Sequence, residues 1–376
     1  MKKRVLFIIL AATVIILLAV VIVKMTAQDP YTLSPKSQLW NSYAPEFRYY
    51  YTQLTDPEKR LFSARYDALA MGDGDLWDYR SGDCDSFERA RVNLAISIDC
   101  PELMFYGQPY YSYSLVSKPE ESYFKANPGK IKDYNELCGQ LQKQILEDGV
   151  SPYEAELAID RYIRRNCMYD ASANQSASED MRTAYSSLIF GKANCVGYTM
   201  GAMYMLRAAN IPCLAVYGYI GLYPKEDSGH MWLMVEIDGQ WYHYDPTWDD
   251  WDSDDYIEDF YPYFNLSTAD LHGLRNYNNI RSQYRFTLPQ AVSREANYYV
   301  RNGKMLGEDW PTDMYRLVKE AHDSGQNAIG MRFENSQDYS DFINNIEQGN
   351  WFPLNMMSFN MQFVNDDQSK FIYLWW

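Results

Sequence analysis

Cys195, His230 and Asp245 follow one another along the chain, each in a short stretch suited to a thiol-based catalytic triad. The stretch around the thiol, GKANCVGYTMGAMYMLRAANIPC, sets Cys195 after Gly191, Ala193 and Asn194 and before an apolar helical run that ends near Asn210. The spacing predicts a cysteine at a helix N-terminus. There, unpaired amides and the positive end of the helix dipole favour the thiolate, the form that attacks carbonyl carbon.

The other two residues are related by counting along HMWLMVEIDGQWYHYDPTW. Asp238 and Gly239 suit a two-residue hairpin turn, which sets Ile237 opposite Gln240. Carried back, that register pairs Trp232 with Asp245 and His230 with Thr247. Side chains alternate faces along a strand, so His230 and Asp245 become diagonal neighbours on one face. Met231, Leu233, Val235, Ile237, Tyr242 and Tyr244 fall on the other, the core face. A base held by a carboxylate and presented to a thiol is what nucleophilic catalysis requires. His243 shares the face of His230, and its place two residues before Asp245 gives it a rim or substrate-contact role. Trp232 and Trp241 share that face as candidate cleft walls, with plain packing an equal alternative.

These blocks, GKANCVGYTMGAMYML, GHMWLMVEIDGQWYHYDPTW and YFNLS, resemble the transglutaminase-like superfamily over about Ser151 to Leu271, with RYIRRNCMYD and AYSSLIFGKANC similar upstream. The resemblance implies an α+β fold with a papain-like core: a nucleophile helix packed on an antiparallel sheet. It implies Cys195 as nucleophile, His230 as general base and acid, and Asp245 as the orienting carboxylate. The animal cross-linking enzymes also use a tryptophan upstream of the nucleophile to hold the oxyanion, and none lies between Trp77 and Cys195 here. The backbone amide of Cys195 and the side chain of Tyr169 are the candidate substitutes. The implied reaction runs through a thioester on a peptide or glutamine carboxamide carbonyl, with hydrolysis favoured over amine cross-linking. The alternative is a non-catalytic binding or assembly module that retains the fold.

Composition sets the surroundings. The chain of 376 residues is 47% hydrophobic and 16% aromatic, a globular composition. MKKR precedes nineteen residues without a charge, long enough to cross a bilayer, with the basic end kept in the cytoplasm. Residues 1–27 are therefore expected to be a transmembrane anchor with the body outside the cytoplasm, a secreted product being the alternative. Without Lys2, Lys3, Arg4 and Lys24 the body keeps 30 basic against 50 acidic residues, which argues against nucleic acid as a partner. The expected partner is a protein or peptide substrate at the cell surface.

With Cys195 as a free nucleophile, five of the six cysteines remain, enough for two disulfides at most. Four histidines and no Cys-x-x-Cys or His-x-x-x-His spacing offer no zinc site, so no metal or cofactor is expected. Asp250, Asp252 and Asp254 alternate like the start of a calcium loop, but Asp255 and Tyr261 occupy its sixth and twelfth positions. Calcium is thus a minor alternative to a solvated loop.

Around the catalytic region at 141–280, residues 28–140 are predicted to be mostly helical, through DPEKRLFSARYDALAMG and DSFERARVNLAISIDCPEL, with a strand near Tyr110. The catalytic region opens at Ser151, whose hydroxyl, with Pro152 and Glu154, predicts a capped helix start. CLAVYGYIGLY reads as a strand. Residues 281–376 read as a small α/β module: helices near Asp313–Asp323 and Tyr339–Ile346, the strand NAIGMRF, and a final hairpin of MQFV and FIYLWW turning at NDDQ.

Overall fold

A computed structural model describes residues 33–103, 121–146, 149–170, 179–221, 229–250, 260–271, 274–276, 283–350, 354 and 360–376. The expected anchor, the strand near Tyr110, and Asp252 and Asp254 lie outside these residues. Among the described residues no helix is long and apolar enough to cross a membrane.

Local chemistry starts the helices. Helix α1 (Asp56–Met71) begins with Thr55 and Glu58 capping each other's backbone amides and ends at Gly72, whose φ of 75° suits a residue without Cβ. Helix α2 (Ser86–Asp99) uses Asp85 and Glu88 in the same way. After α3 (Glu121–Ile145), helix α4 (Pro152–Asn166) starts at the Ser151 and Glu154 box. A short parallel pair, β1 (Met168–Tyr169) and β2 (Lys192–Ala193), leads into α5 (Cys195–Ala208).

Helix α5 packs on an antiparallel sheet of order β5-β4-β3-β6, made of β3 (Cys213–Ile220), β4 (Gly229–Ile237), β5 (Gln240–Tyr244) and β6 (Arg275–Asn276). Asp238 and Gly239 take φ of 52° and 76°, as this hairpin turn demands, and Ile237 pairs with Gln240 and Leu233 with Tyr244. The expected register holds that far. It does not continue to pair Trp232 with Asp245 or His230 with Thr247, because β5 closes at Tyr244. Pro246 has no amide hydrogen to donate, and the Asp245 carbonyl turns to accept from the amides of Trp248 and Asp249.

Apolar contacts run without a break from Trp40, Tyr50, Phe62 and Ile96 through α5 into the sheet. Polar bonds cross the same boundary. Arg207, near the end of α5, pairs with Asp99 at 2.9 Å with both side chains fully buried, and the Tyr50 hydroxyl donates to the Ala215 carbonyl at 2.5 Å. No disulfide joins any of the six cysteines, and all are buried.

The C-terminal module has its own apolar core. Its sheet, of order β7-β8-β10-β9, comprises β7 (Met305–Leu306), β8 (Ala328–Phe333), β9 (Gln362–Asp366) and β10 (Phe371–Trp375), with α6 (Trp310–Asp323) and α7 (Ser336–Glu347). The last turn is Asp367–Lys370, not NDDQ. Asn365 and Asp366 stay in the ladder, while the Asp366 carboxylate accepts from the Gln368 amide and the Ser369 hydroxyl. Phe371 packs on Phe260, which seats the module on residues 141–280.

Candidate active site

Asn194 caps α5, its side-chain oxygen accepting from the amides of Val196 at 3.0 Å and Gly197 at 3.4 Å. Cys195 is the first residue of the helix, so its own amide has no acceptor within the helix. Two glycines a turn apart fix where the helix lies. A Cβ on Gly197 would meet Ser186 Oγ at 2.5 Å, and one on Gly201 would meet Ser187 Oγ at 2.1 Å. The turn Ser186–Phe190 therefore nests against α5, and the Ser187 hydroxyl donates to the Gly197 carbonyl at 2.8 Å.

On β4, His230 places Nε2 2.7 Å from Asp245 Oδ2 and also hydrogen-bonds Cys195, which leaves Nδ1 for the thiol. Gly218 pairs opposite His230; a Cβ there would meet the Asn276 carbonyl at 2.2 Å and the Trp232 ring at 2.8 Å. That space lets Trp232 pack flat beside His230, its ring 6.0 Å from the imidazole at 17°. The Trp232 indole donates to His243 Nδ1 at 3.2 Å, so His243 carries its proton on Nε2, 3.1 Å from the Thr268 hydroxyl.

Asp245 Oδ2 is shared. It lies 2.7 Å from His230 Nε2 and 2.8 Å from Arg275 Nη2, while Oδ1 accepts from the Trp248 amide at 3.3 Å. Burial alone would raise the Asp245 pKa, but the charges and hydrogen bonds of His230 and Arg275 outweigh it and hold the carboxyl below its usual range. Burial likewise opposes a charge on His230. The Asp245 charge and the hydrogen bonds to Asp245 and Cys195 prevail, and the imidazole is pushed up to about 9. An imidazolium beside a thiol at a helix N-terminus favours the thiolate.

The remaining expected residues divide. Tyr169 is half-buried on β1, opposite Ala193, with its ring 6.4 Å from Tyr198 on α5, and so stands beside the turn that presents Cys195. Trp232 is a fully buried ring beside His230, so the expected cleft-wall role gives way to the packing alternative. His243 is 1% exposed, so the expected rim role gives way to one of supporting Trp232. Trp241 pairs with Glu236, six residues along β4 from His230, which is roughly 20 Å of strand. It packs on Tyr49 and does not line the cleft. Asp250 meets the Tyr198 hydroxyl at 2.5 Å, and the described residues contain no cluster of three or more His, Cys, Asp or Glu able to hold a metal.

Two residues near the triad were missed. Trp248 lies edge-on to His230 at 6.3 Å and belongs to the DPTW block, so its nearness in sequence was the available signal. Arg275 comes from the far edge strand, and nothing in LHGLRNYNN marks it.

Residues 139–246 match the family model of the transglutaminase-like superfamily. Among solved structures, a candidate cysteine protease from Cytophaga hutchinsonii is 21% identical with a TM-score of 0.27, the match covering 38% of this chain and 41% of that one. A TGase is 19% identical with a TM-score of 0.27, over 34% of this chain and 35% of the other. The periplasmic domain of TgpA from Pseudomonas aeruginosa is 20% identical with a TM-score of 0.25, over 31% and 42%. The chain thus spans well under half the length of each of these structures. No curated protein sequence matches it. The family match contains Cys195, His230 and Asp245, the three residues that hydrogen bonds link in space, and it is in this segment that the chain is similar to the transglutaminase-like superfamily.

Proposed function

We propose that this protein is a cysteine-dependent acyl-transfer enzyme acting on peptide or glutamine carboxamide carbonyls of proteins outside the cytoplasm, held there by its N-terminal apolar segment. The observation that carries the reading is Cys195 at the start of α5, hydrogen-bonded to His230, whose Nε2 lies 2.7 Å from Asp245. The Cys195 sulfur attacks the carbonyl carbon and forms the C–S bond. His230 gives its proton to the nitrogen as the C–N bond breaks, leaving a thioester and a free amine or ammonia. The Cys195 amide, with Tyr169 beside it, is the proposed oxyanion donor. In the second step water attacks the thioester, His230 takes its proton, and the C–S bond breaks to release the acid. Water needs no second docking surface, which favours hydrolysis over transfer to an amine.

The test supplies the full-length protein with a glutamine-containing polypeptide and a labelled primary amine, following cleavage, ammonia release and label incorporation together, with Cys195→Ala as control. Hydrolysis that exceeds incorporation and vanishes in the control supports the reading. Incorporation outpacing hydrolysis overturns the choice of acceptor. A Cys195 alkylation midpoint near the ordinary thiol value of about 8.5 overturns the enzyme and favours a binding module that keeps the fold.

A further inference from the structure

The triad carboxylate has two cationic neighbours on one oxygen. Arg275 Nη2 and His230 Nε2 lie 2.8 and 2.7 Å from Asp245 Oδ2, so the two nitrogens are at most about 5.5 Å apart. Arg275 is itself held rigidly. Its side chain is fully buried, its Nη1 donates to the Leu274 carbonyl at 3.1 Å, and its guanidinium lies 4.4 Å from the Trp248 ring and 5.2 Å from the Tyr263 ring. A planar fork can bond two acceptors while stacking on rings; an ammonium cannot do all of this. The Tyr263 hydroxyl in turn meets Asp366 of the C-terminal module at 2.9 Å.

We infer that Arg275 is a positioning residue for this triad: it fixes the rotamer of Asp245 and limits how strongly that carboxylate holds the protonated His230. The inference rests on the proposed function only in giving the triad a reaction to serve. Its physical content is a competition. The charged and titratable groups that face this pair are Cys195 on α5, His230 on β4, Tyr263, and Asp249 beyond Asp245, whose carboxyl is pushed up toward its neutral form by burial and the Asp160 charge. Arg275 is the fixed cation among them. Without it the Asp245 charge falls wholly on the imidazole, which then gives up its proton less readily to a leaving amine.

The experiment is an NMR titration of the histidine imidazoles in the full-length protein, wild type against Arg275→Met and Arg275→Lys. The chain has four histidines, and His230→Gln identifies the relevant signal. A fixed like charge within about 6 Å moves a titration by a unit or more, so Arg275→Met is expected to raise the His230 midpoint by about one unit. Arg275→Lys, which restores the charge, is expected to return it toward wild type. An unmoved midpoint in Arg275→Met overturns the inference. If that variant does not fold, Arg275→Gln is read by the same criterion. Alkylation of Cys195, followed on its own peptide by mass spectrometry, separates the two proposals. A shifted His230 with an ordinary Cys195 supports the role of Arg275 and defeats the enzyme; an activated Cys195 with an unmoved His230 does the reverse.

Discussion

Glu156 on α4 is fully buried, and burial first, with the nearby Asp160 charge, pushes its carboxyl up to about 8 against a hydrogen bond from Asn265. Asn265 Nδ2 donates to Glu156 Oε2 at 2.7 Å, while Glu156 Oε1 and Asn265 Oδ1 have no partner among the described residues. A proton on Glu156 turns one of these acceptors into a donor. The replacement Glu156→Gln keeps that donor at every pH. With the folded pKa raised, the favourable linkage of the wild-type residue is complete below its unfolded value of 4.5 and is lost as pH rises through about 8. At pH 7 the loss spans about 2.5 units, or about 3 kcal/mol at ~1.4 kcal/mol per unit. Glu156→Gln should therefore be about as stable as wild type near pH 4.5 and about 3 kcal/mol more stable at pH 7. Urea unfolding of both proteins at half-unit intervals from pH 4.5 to 8 measures the gap. A gap that stays flat with pH, or a glutamine variant weaker throughout, would refute the reasoning and mean that Glu156 is ionised in the fold.

Other outcomes follow from the same structure. Asp245→Asn removes the charge that lifts His230, so its midpoint should fall from about 9 to or below the ordinary imidazole value, and Cys195 alkylation at pH 6 should slow by at least tenfold. Asp99→Asn leaves Arg207 without its buried counter-charge and should destabilise the protein by about 3–5 kcal/mol in denaturant unfolding. Gly197→Ala forces a methyl group toward Ser186, Ala193 and the Met181 carbonyl, so a loss of about 1–3 kcal/mol and slower Cys195 alkylation are expected. His243→Phe breaks the bond from the Trp232 indole and should cost about 1–3 kcal/mol in unfolding while leaving the His230 midpoint within about half a unit; a larger midpoint shift would assign His243 an electrostatic role.

What the sequence disclosed was chiefly local. The Ser151 capping box, the Asp238–Gly239 turn and the start of α5 depend on residues a few positions apart, and each formed where the spacing predicts. The meeting of His230 with Asp245 was legible because a tight turn fixes register, although the ladder closes at Tyr244, three residues short of the Thr247 that the count implies. Facing rules alone misled at Trp241 and His243. A strand pattern tells which side a ring occupies, not which neighbour covers it, and Tyr49 and Trp232 supply those covers. Arg275 was invisible for a related reason: its importance arises from a meeting with Asp245 across thirty positions of chain that no periodicity encodes.

The unbroken core beneath the triad has a consequence for how such a protein can be dissected or recombined. The family match begins at residue 139, yet Asp99, which pairs with Arg207 near the end of α5, precedes it, as does Tyr50, which bonds into β3. A fragment cut at the family's border would uncover a greasy flank on α5 and strand a guanidinium in it. Swapping this segment into another host would therefore require the N-terminal helices to travel with it, and proteolysis that severs them should extinguish Cys195 reactivity even though none of Cys195, His230 and Asp245 is lost.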